Sequence, residues 1–182
     1  MGIKLSAARE KGVNAAIGEL MADKEKELGE AQELLGMGDF SAAVKKFNKI
    51  IKADPKCAEA YFGKAEAAIG DPSVSEEDTM ACYKKAVELD GKNPLFWSSY
   101  ASFLMELGRF NEAESAYTKA AEIDPDNSRY YNSEFGVDYA ARAPVVMEKF
   151  LDDKTREMIK KKALKYLLKS IDLSEEEARK IL

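Results

Sequence analysis

The chain has 182 residues, with 28 Lys or Arg and 33 Asp or Glu, so its formal net charge is −5. Its apolar fraction of 46% is enough to build a core and excludes a disordered tail. Histidine is absent, which excludes histidine-based zinc sites, histidine general bases and Ser-His or Cys-His nucleophile pairs.

The N-terminal segment, residues 1–23, predicts a weakly amphipathic helix from about Lys4 to Ala22. Apolar residues recur there at helical spacing and two glycines interrupt them: Val13, Ala16, Ile17 and Leu20, with Gly12 and Gly18. No apolar signal sequence opens the chain, and Cys57 and Cys82 stand far apart. We therefore expect a cytoplasmic protein whose two thiols are buried or half-buried.

From residue 24 onward the sequence repeats itself. Two segments match at an offset of 70 residues: Gly38 and Gly108, Phe40 and Phe110, Ala43 and Ala113, Phe47 and Tyr117, Lys49 and Lys119, Asp54 and Asp124, Pro55 and Pro125. A third copy lies between them, with Tyr61 placed 36 residues before Trp97 and Tyr83 placed 34 before Tyr117. The period is therefore 34, and two inserted residues fall in the loop at 70–75, where Pro and Ser end one helix and cap the next.

The third copy carries a diagnostic order of large and small residues: Trp97, Tyr100, Ala101, Leu104, Ala113, Tyr117 and Pro125. This order resembles the tetratricopeptide repeat (TPR). Its copies span residues 24–57, 58–93 and 94–127, although Thr79 replaces the usual small residue and Gly91 the usual proline of the second copy. The resemblance implies an all-α solenoid of helical hairpins, with three repeats, a degenerate fourth and flanking capping helices. It also implies a protein–protein interaction adaptor or scaffold, not an enzyme, with no cofactor.

The turns of the repeats follow from glycine and proline. Gly38 and Gly108 suit the turn inside a hairpin, where a left-handed backbone is needed. Asp54-Pro55 and Asp124-Pro125 end the second helix of a repeat, because proline cannot continue a helix.

Residues 128–182 are expected to form the degenerate fourth repeat and the C-terminal caps. Its apolar face is predicted to include Tyr130, Tyr131 and Phe135, and Pro144 stands where the next turn is expected. Beyond it we predict helices over about 145–151 and 154–171. A last helix is opened by the capping box of Ser174 and Glu177.

The helix predicted at 154–171 is strongly basic, because residues 154–169 contain seven Lys or Arg and one Glu. One face is predicted to carry the lysines: Lys154, Lys161, Lys162, Lys165 and Lys169. The opposite face is predicted to be apolar: Ile159, Ala163, Leu164, Leu167, Leu168 and Ile171. We expect a cap packed on the preceding helices with its lysines in water. Contact with an acidic protein is the first alternative for this helix, and contact with lipid or RNA, which an acidic chain with few interleaved aromatic residues does not favour, is the lesser one.

The resemblance also places a ligand groove on the first helix of each repeat. The corresponding residues are Glu25, Leu28, Gln32, Leu35, Glu59, Phe62, Glu66, Ile69, Leu95, Ser98, Ser102 and Met105. Apolar side chains edged by glutamates predict a peptide or helical partner segment that is apolar with basic flanks. The alternative is a groove filled by the protein's own N- or C-terminal helix, in a subunit that assembles, also with itself, through outer or terminal surfaces.

One subfamily of the repeat clamps an acidic C-terminal tail through Lys, Arg and Asn side chains at fixed positions. Those positions hold Leu28, Gln32, Gly63, Leu95 and Ser99 here, so no cation is available for a carboxylate. We therefore expect no clamp of this kind. No phosphate-binding loop, nucleophile elbow or metal-ligand spacing is present in the sequence, and we expect no catalytic residue, no metal and no nucleic-acid partner.

Overall fold

The computed structural model describes the backbone of residues 2–181 and the side chains of residues 18, 19 and 21–180. In that part of the chain all regular structure is helical. The α-helices are α1 (Gly2–Gly36), α2 (Phe40–Ala53), α3 (Ala58–Ile69), α4 (Glu76–Leu89), α5 (Pro94–Glu106), α6 (Phe110–Ile123), α7 (Ser128–Val146), α8 (Asp153–Ser170) and α9 (Glu175–Ile181). The helices form two compact units: unit 1 holds α1 to α4 and unit 2 holds α5 to α9.

The hairpin turns form as the glycines and prolines predict. Gly38, between α1 and α2, has φ +78°, and Gly108, between α5 and α6, has φ +70°. Both values lie in the left-handed region that favours glycine. The aspartate of each Asp-Pro pair follows the last residue of its helix, since α2 ends at Ala53 and α6 at Ile123.

The inserted residues of the second repeat lie in the loop at 70–75, as predicted. Asp71 organises this loop: its carboxylate accepts hydrogen bonds from the Ser41 hydroxyl at 2.9 Å and the Ser73 backbone N–H at 3.0 Å. These hydrogen bonds, those from Ser73 first, lower the pKa of Asp71. The two extra residues are therefore accommodated by an Asx turn tied to α2.

Small residues in the core of unit 1 allow α1, α2 and α3 to approach one another closely. Its core combines Phe47 and Ile50 with four fully buried alanines, Ala31, Ala43, Ala60 and Ala67. Gly63 of α3 faces the Phe47 ring so closely that a Cβ atom at Gly63 would lie 2.3 Å from Phe47 Cζ. This packing has no room for a methyl group.

Aromatic rings pack together in the core of unit 2. Phe135 of α7 is fully buried, and its ring centroid lies 6.3 Å from that of Tyr117, 5.4 Å from Tyr139 and 4.5 Å from Tyr166. Tyr131 is buried at the position matching Trp97, and its hydroxyl donates to Asp124 Oδ2 at 3.1 Å. Tyr130, predicted on the same apolar face, is 56% exposed instead.

The chain departs from the predicted helix boundaries at both ends. The helix predicted at 4–22 has no end of its own, because α1 runs unbroken from Gly2 to Gly36, through Gly12 and Gly18. The side chains of Val13, Ala16, Ile17 and Leu20 lie outside the described residues. The predicted turn at Pro144 and the helix at 145–151 are wrong. Pro144 lies inside α7, near its C-terminal end, where the N–H that proline lacks removes only one hydrogen bond of the last turn. Of the helix predicted at 145–151, only Glu148–Phe150 form a separate element, a 3-10 helix.

The predicted basic helix exists as α8 and packs on α7, but the buried face is rotated from the predicted one. Ile159, Ala163, Tyr166 and Leu168 are buried. Leu164 and Ile171 are instead 53% and 65% exposed. The following helix, α9, starts with the predicted capping box, since the Ser174 N–H donates to Glu177 Oε2 at 2.9 Å and the Glu177 N–H to Ser174 Oγ at 3.2 Å.

Candidate interaction surfaces

In unit 1, α1 carries the first four predicted groove residues. Glu25 and Gln32 are exposed, whereas Leu28 and Leu35 are half-buried. The two leucines pack against the core around Phe47 while keeping part of their side chains at the surface. They therefore belong both to the fold and to the predicted surface.

The next four predicted residues lie on α3, which packs against α1 in the same unit. Glu59 and Ile69 are exposed, with Ile69 54% exposed, and Phe62 and Glu66 are half-buried. The sequence did not indicate that Tyr83 of α4 holds this face. Its hydroxyl donates to Glu66 Oε1 at 2.5 Å, and its ring meets the Phe62 ring edge-on at 6.2 Å. Contacts with the single residue Tyr83 thus fix the positions of the Glu66 and Phe62 side chains.

In unit 2, α5 carries the last four predicted groove residues, and the prediction is wrong for one of them, Met105. Leu95 is 55% exposed, and Ser98 and Ser102 are half-buried. The Ser98 hydroxyl donates to the Leu95 carbonyl oxygen at 3.1 Å, within its own helix. Met105 is only 1% exposed, so it cannot line an open groove.

The structure bears on one position at which the carboxylate clamp would need an asparagine. Gly63 is buried against the Phe47 ring, so the asparagine that the clamp places there could not fit without displacing that ring. Of the other clamp positions, Leu28 and Ser99 are half-buried, whereas Gln32 and Leu95 are exposed.

Unit 2 contains a cavity that the sequence did not predict, with a volume of about 430 Å³. It lies where the turn before α6 meets the end of α7 and the first half of α8. Its lining consists of Gly108, Arg109, Phe110, Asn111, Glu112, Tyr139, Met147, Met158 and Lys162. The lining combines the stretch 108–112 with residues that lie 27 to 50 positions further along the chain, so only the tertiary fold brings them together.

A charged network braces α8 beside this cavity. Lys162 Nζ lies 2.6 Å from Glu114 Oε2 of α6, and the Tyr166 hydroxyl donates to Glu114 Oε1 at 2.7 Å. Burial raises the pKa of Glu114, but the hydrogen bonds from Lys162 and Tyr166 outweigh burial and leave it below its usual value. Burial and the bond to Glu114 raise the pKa of Tyr166 to about 12. The prediction that Lys162 lies in water with the other lysines is therefore wrong.

The two cysteines, Cys57 and Cys82, are buried free thiols, as expected. Burial raises the pKa of both, so the thiol form is favoured. Within the described residues, no group of acidic or cysteine side chains is arranged to hold a metal ion. None of the helices described is both long and apolar enough to span a bilayer.

These helical hairpins define an all-α repeat protein. Two models of the tetratricopeptide repeat match the chain, at residues 28–77 and 77–133. The chain belongs to the tetratricopeptide repeat family, whose members act in general as protein–protein interaction modules.

Known relatives and structures are similar to parts of the chain. It is 30% identical over 110 residues to small glutamine-rich tetratricopeptide repeat-containing protein 2 of Mycosarcoma maydis, covering 59% of this chain and 30% of that protein. The chain thus spans less than a third of that relative's length. The MamA structure matches with a TM-score of 0.65 at 18% identity, over 86% of this chain and 81% of MamA. A structure of YrrB, titled a TPR protein with an unusual peptide-binding site, matches with a TM-score of 0.57 at 19% identity, over 87% and 90% of the two chains. At these identities the structures establish the fold alone.

Proposed function

We propose that the chain is a non-enzymatic adaptor that holds a peptide or helical segment of a partner protein on the faces of α1 and α3 in unit 1. The observation that carries this proposal is Ile69, which is 54% exposed on the same helix face as the half-buried Phe62, seven residues earlier. Large apolar side chains left at the surface of a repeat protein mark interaction sites when they are grouped. YrrB, described as a TPR protein with an unusual peptide-binding site, supports the same class of ligand for this fold.

The charges around this face specify the ligand further. Glu25 and Glu59 are exposed and Glu66 is half-buried, so carboxylates edge the apolar side chains of Leu28, Phe62 and Ile69. A segment with apolar anchors and basic flanks is complementary to them. Leu95, Ser98 and Ser102 of unit 2 remain predicted contacts.

The competing arrangement is a groove filled by the protein's own N- or C-terminal helix, and the N-terminal form of it can be weighed against α1. The N-terminal form is disfavoured because residues before Lys24 continue α1 as one helix from Gly2 to Gly36 and do not form a separate helix that folds back. An open face on unit 1 is therefore the preferred arrangement.

A peptide selection tests the proposal. A random peptide library is selected against the full chain, and the affinities of the selected peptides are measured by calorimetry. We expect bulky apolar residues flanked by Lys or Arg, and a loss of about tenfold in affinity for Ile69→Glu, the scale of a lost anchor contact. Val137→Glu is the matched control, because Val137 is also 54% exposed but lies on α7. Peptides that bind the Ile69→Glu and unaltered chains equally would refute the proposed face.

A further inference from the structure

The cavity of unit 2 offers a site for one apolar side chain. Its volume of about 430 Å³ falls in the range of ligand pockets, and Phe110, Tyr139, Met147 and Met158 supply its apolar lining. Thioether side chains adapt to varied shapes, which suits an anchor residue of a partner. The charges within the cavity are already compensated, because Arg109 is paired with Glu112 and Lys162 with Glu114.

Uncompensated positive charge lies directly beside the cavity, on the outer face of α8. We name Lys154, Lys161, Lys165 and Lys169 the α8 lysine strip; all four are exposed. Lys154 and Lys161 form no ion pair with any side chain in the described part of the chain, and the ammonium groups of Lys165 and Lys169 lie 5.7 and 4.9 Å from the centroid of the Tyr166 ring. Met158, which lines the cavity, lies one helical turn from both Lys154 and Lys161. The strip and the cavity are therefore continuous.

Exposed apolar side chains surround the same end of the hairpin. Phe150 is 77% exposed in the connection between α7 and α8, and Met158 is 54% exposed near the start of α8. Val146, 57% exposed, reaches the turn before α6, since a Cβ atom at Gly108 would lie 2.9 Å from its Cγ1. These side chains would gain from contact with apolar groups of a partner.

The shape of the strip favours a protein segment over a membrane or a nucleic acid. From Lys154 to Lys169 the strip follows one helix for about 22 Å at about 1.5 Å per residue, the length of a short peptide. A flat anionic membrane would contact the lysines, but its charged headgroups do not match the apolar part of the cavity lining at Phe110, Tyr139 and Met158. Tyr166 is buried, so the strip presents no ring on which a base could stack.

We propose that unit 2 carries a second docking surface, for an acidic protein segment that lies along the α8 lysine strip and inserts an apolar side chain into the cavity beside Met158. This surface is separate from the face on unit 1, and its ligand has the opposite charge. The chain would then hold two partner segments of different chemistry.

The probe is a short fluorescein-labelled peptide of Glu and Asp residues around a central Phe, titrated with the full chain by fluorescence anisotropy. We expect saturable binding that weakens as salt rises, because exposed charges are screened. A variant with Lys154→Glu, Lys161→Glu and Lys165→Glu should bind at least about tenfold more weakly, and Met158→Glu should weaken binding by about tenfold. Replacing the central Phe of the peptide by Ser should have a similar effect.

The matched control reverses the same number of charges elsewhere, at Lys52, Lys84 and Lys92, all of which are exposed. This variant and Ile69→Glu should change the peptide affinity by less than about twofold, which separates this surface from the one on unit 1. Unchanged melting temperatures would show that each variant is folded. Equal affinity for the triple variant of the strip, or equal binding of the Phe and Ser peptides, would overturn the proposal. So would strip-dependent binding to phosphatidylserine vesicles without binding to the peptide.

Discussion

Unit 1 and unit 2 are both built from helical hairpins of the repeat, but different side chains stabilise the core of each unit. In unit 1, alanines and Gly63 let the helices approach Phe47, and pairs such as Lys49–Glu27 join α1 and α2 at the surface. In unit 2, the rings around Phe135 fill the core, and the half-buried Glu114 joins α6 to α8. Close approach makes a core sensitive to added atoms, whereas an aromatic core is sensitive to removed ones.

The largest expected effect is the loss of the central ring of unit 2. Phe135→Ala should lower the free energy of unfolding by about 3–5 kcal/mol, because the fully buried ring touches three others and would leave a large cavity. Chemical denaturation followed by circular dichroism measures this change. Tyr130→Ala is the control: Tyr130 is 56% exposed, and its loss should change stability far less. Equal effects of the two substitutions would contradict the aromatic core described for unit 2.

The rotated face of α8 provides the second test. Ile159 is 3% exposed and Leu164 is 53% exposed, although the sequence places both on one apolar arc. Ile159→Ala should therefore cost about 2–5 kcal/mol, whereas Leu164→Ala should stay within about 0.5 kcal/mol of the unaltered chain. Thermal unfolding of both variants measures the difference. A larger loss at Leu164 would show that α8 is packed as the sequence alone predicts.

Unit 1 should respond to added atoms. Gly63→Ala places a methyl group 2.3 Å from Phe47 Cζ and should destabilise the chain by about 1–3 kcal/mol, because Phe47 must move within a tight core. The matched variant is Gly29→Ala in α1, where nothing lies within 4 Å of the new Cβ atom. That change should stabilise the helix by about 0.5–1 kcal/mol. If both substitutions shifted the denaturation midpoint in the same direction from that of the unaltered chain, the close approach at Gly63 would be contradicted.

An effect of similar size is expected from a change of charge in unit 2. Glu114→Gln should cost about 1–3 kcal/mol at neutral pH, because the carboxylate bound by Lys162 and Tyr166 is lost. The pKa of Glu114 is lowered in the folded chain, so its contribution is present above the ordinary value of 4.5 and is lost as the pH falls through the folded value. The difference in stability between the two chains should thus shrink in acid. Melting temperatures across this pH range measure it.

The exposed pair of unit 1 is the control for that measurement. Lys49→Gln removes the partner of Glu27, and Lys49 is 66% exposed, so no measurable change in melting temperature is expected. A Lys49→Gln chain that melts as low as Glu114→Gln would remove this distinction between the units.

The sequence alone predicted the features that depend on neighbours along the chain. The repeat period, the left-handed turns at Gly38 and Gly108, the helix ends at the Asp-Pro pairs and the capping box at Ser174 are local, because backbone conformation and capping involve only a few consecutive residues. The repeat pattern also placed Leu28, Phe62 and Ile69 on helix faces where the structure leaves part or much of each side chain at the surface. The face they would offer a partner remains a prediction.

Other features were decided only by the tertiary structure. The apolar periodicity of α8 left its rotation open, and packing on α7 selected Ile159 and Tyr166 for burial while leaving Leu164 in water. Met105 is a core residue in the structure, and Lys162 forms an ion pair with Glu114, which lies 48 residues earlier in the sequence. The cavity beside Met158 likewise joins residues from α6, α7 and α8. A helical pattern specifies which residues share a face, but the elements packed around the helix decide which part of that face meets water.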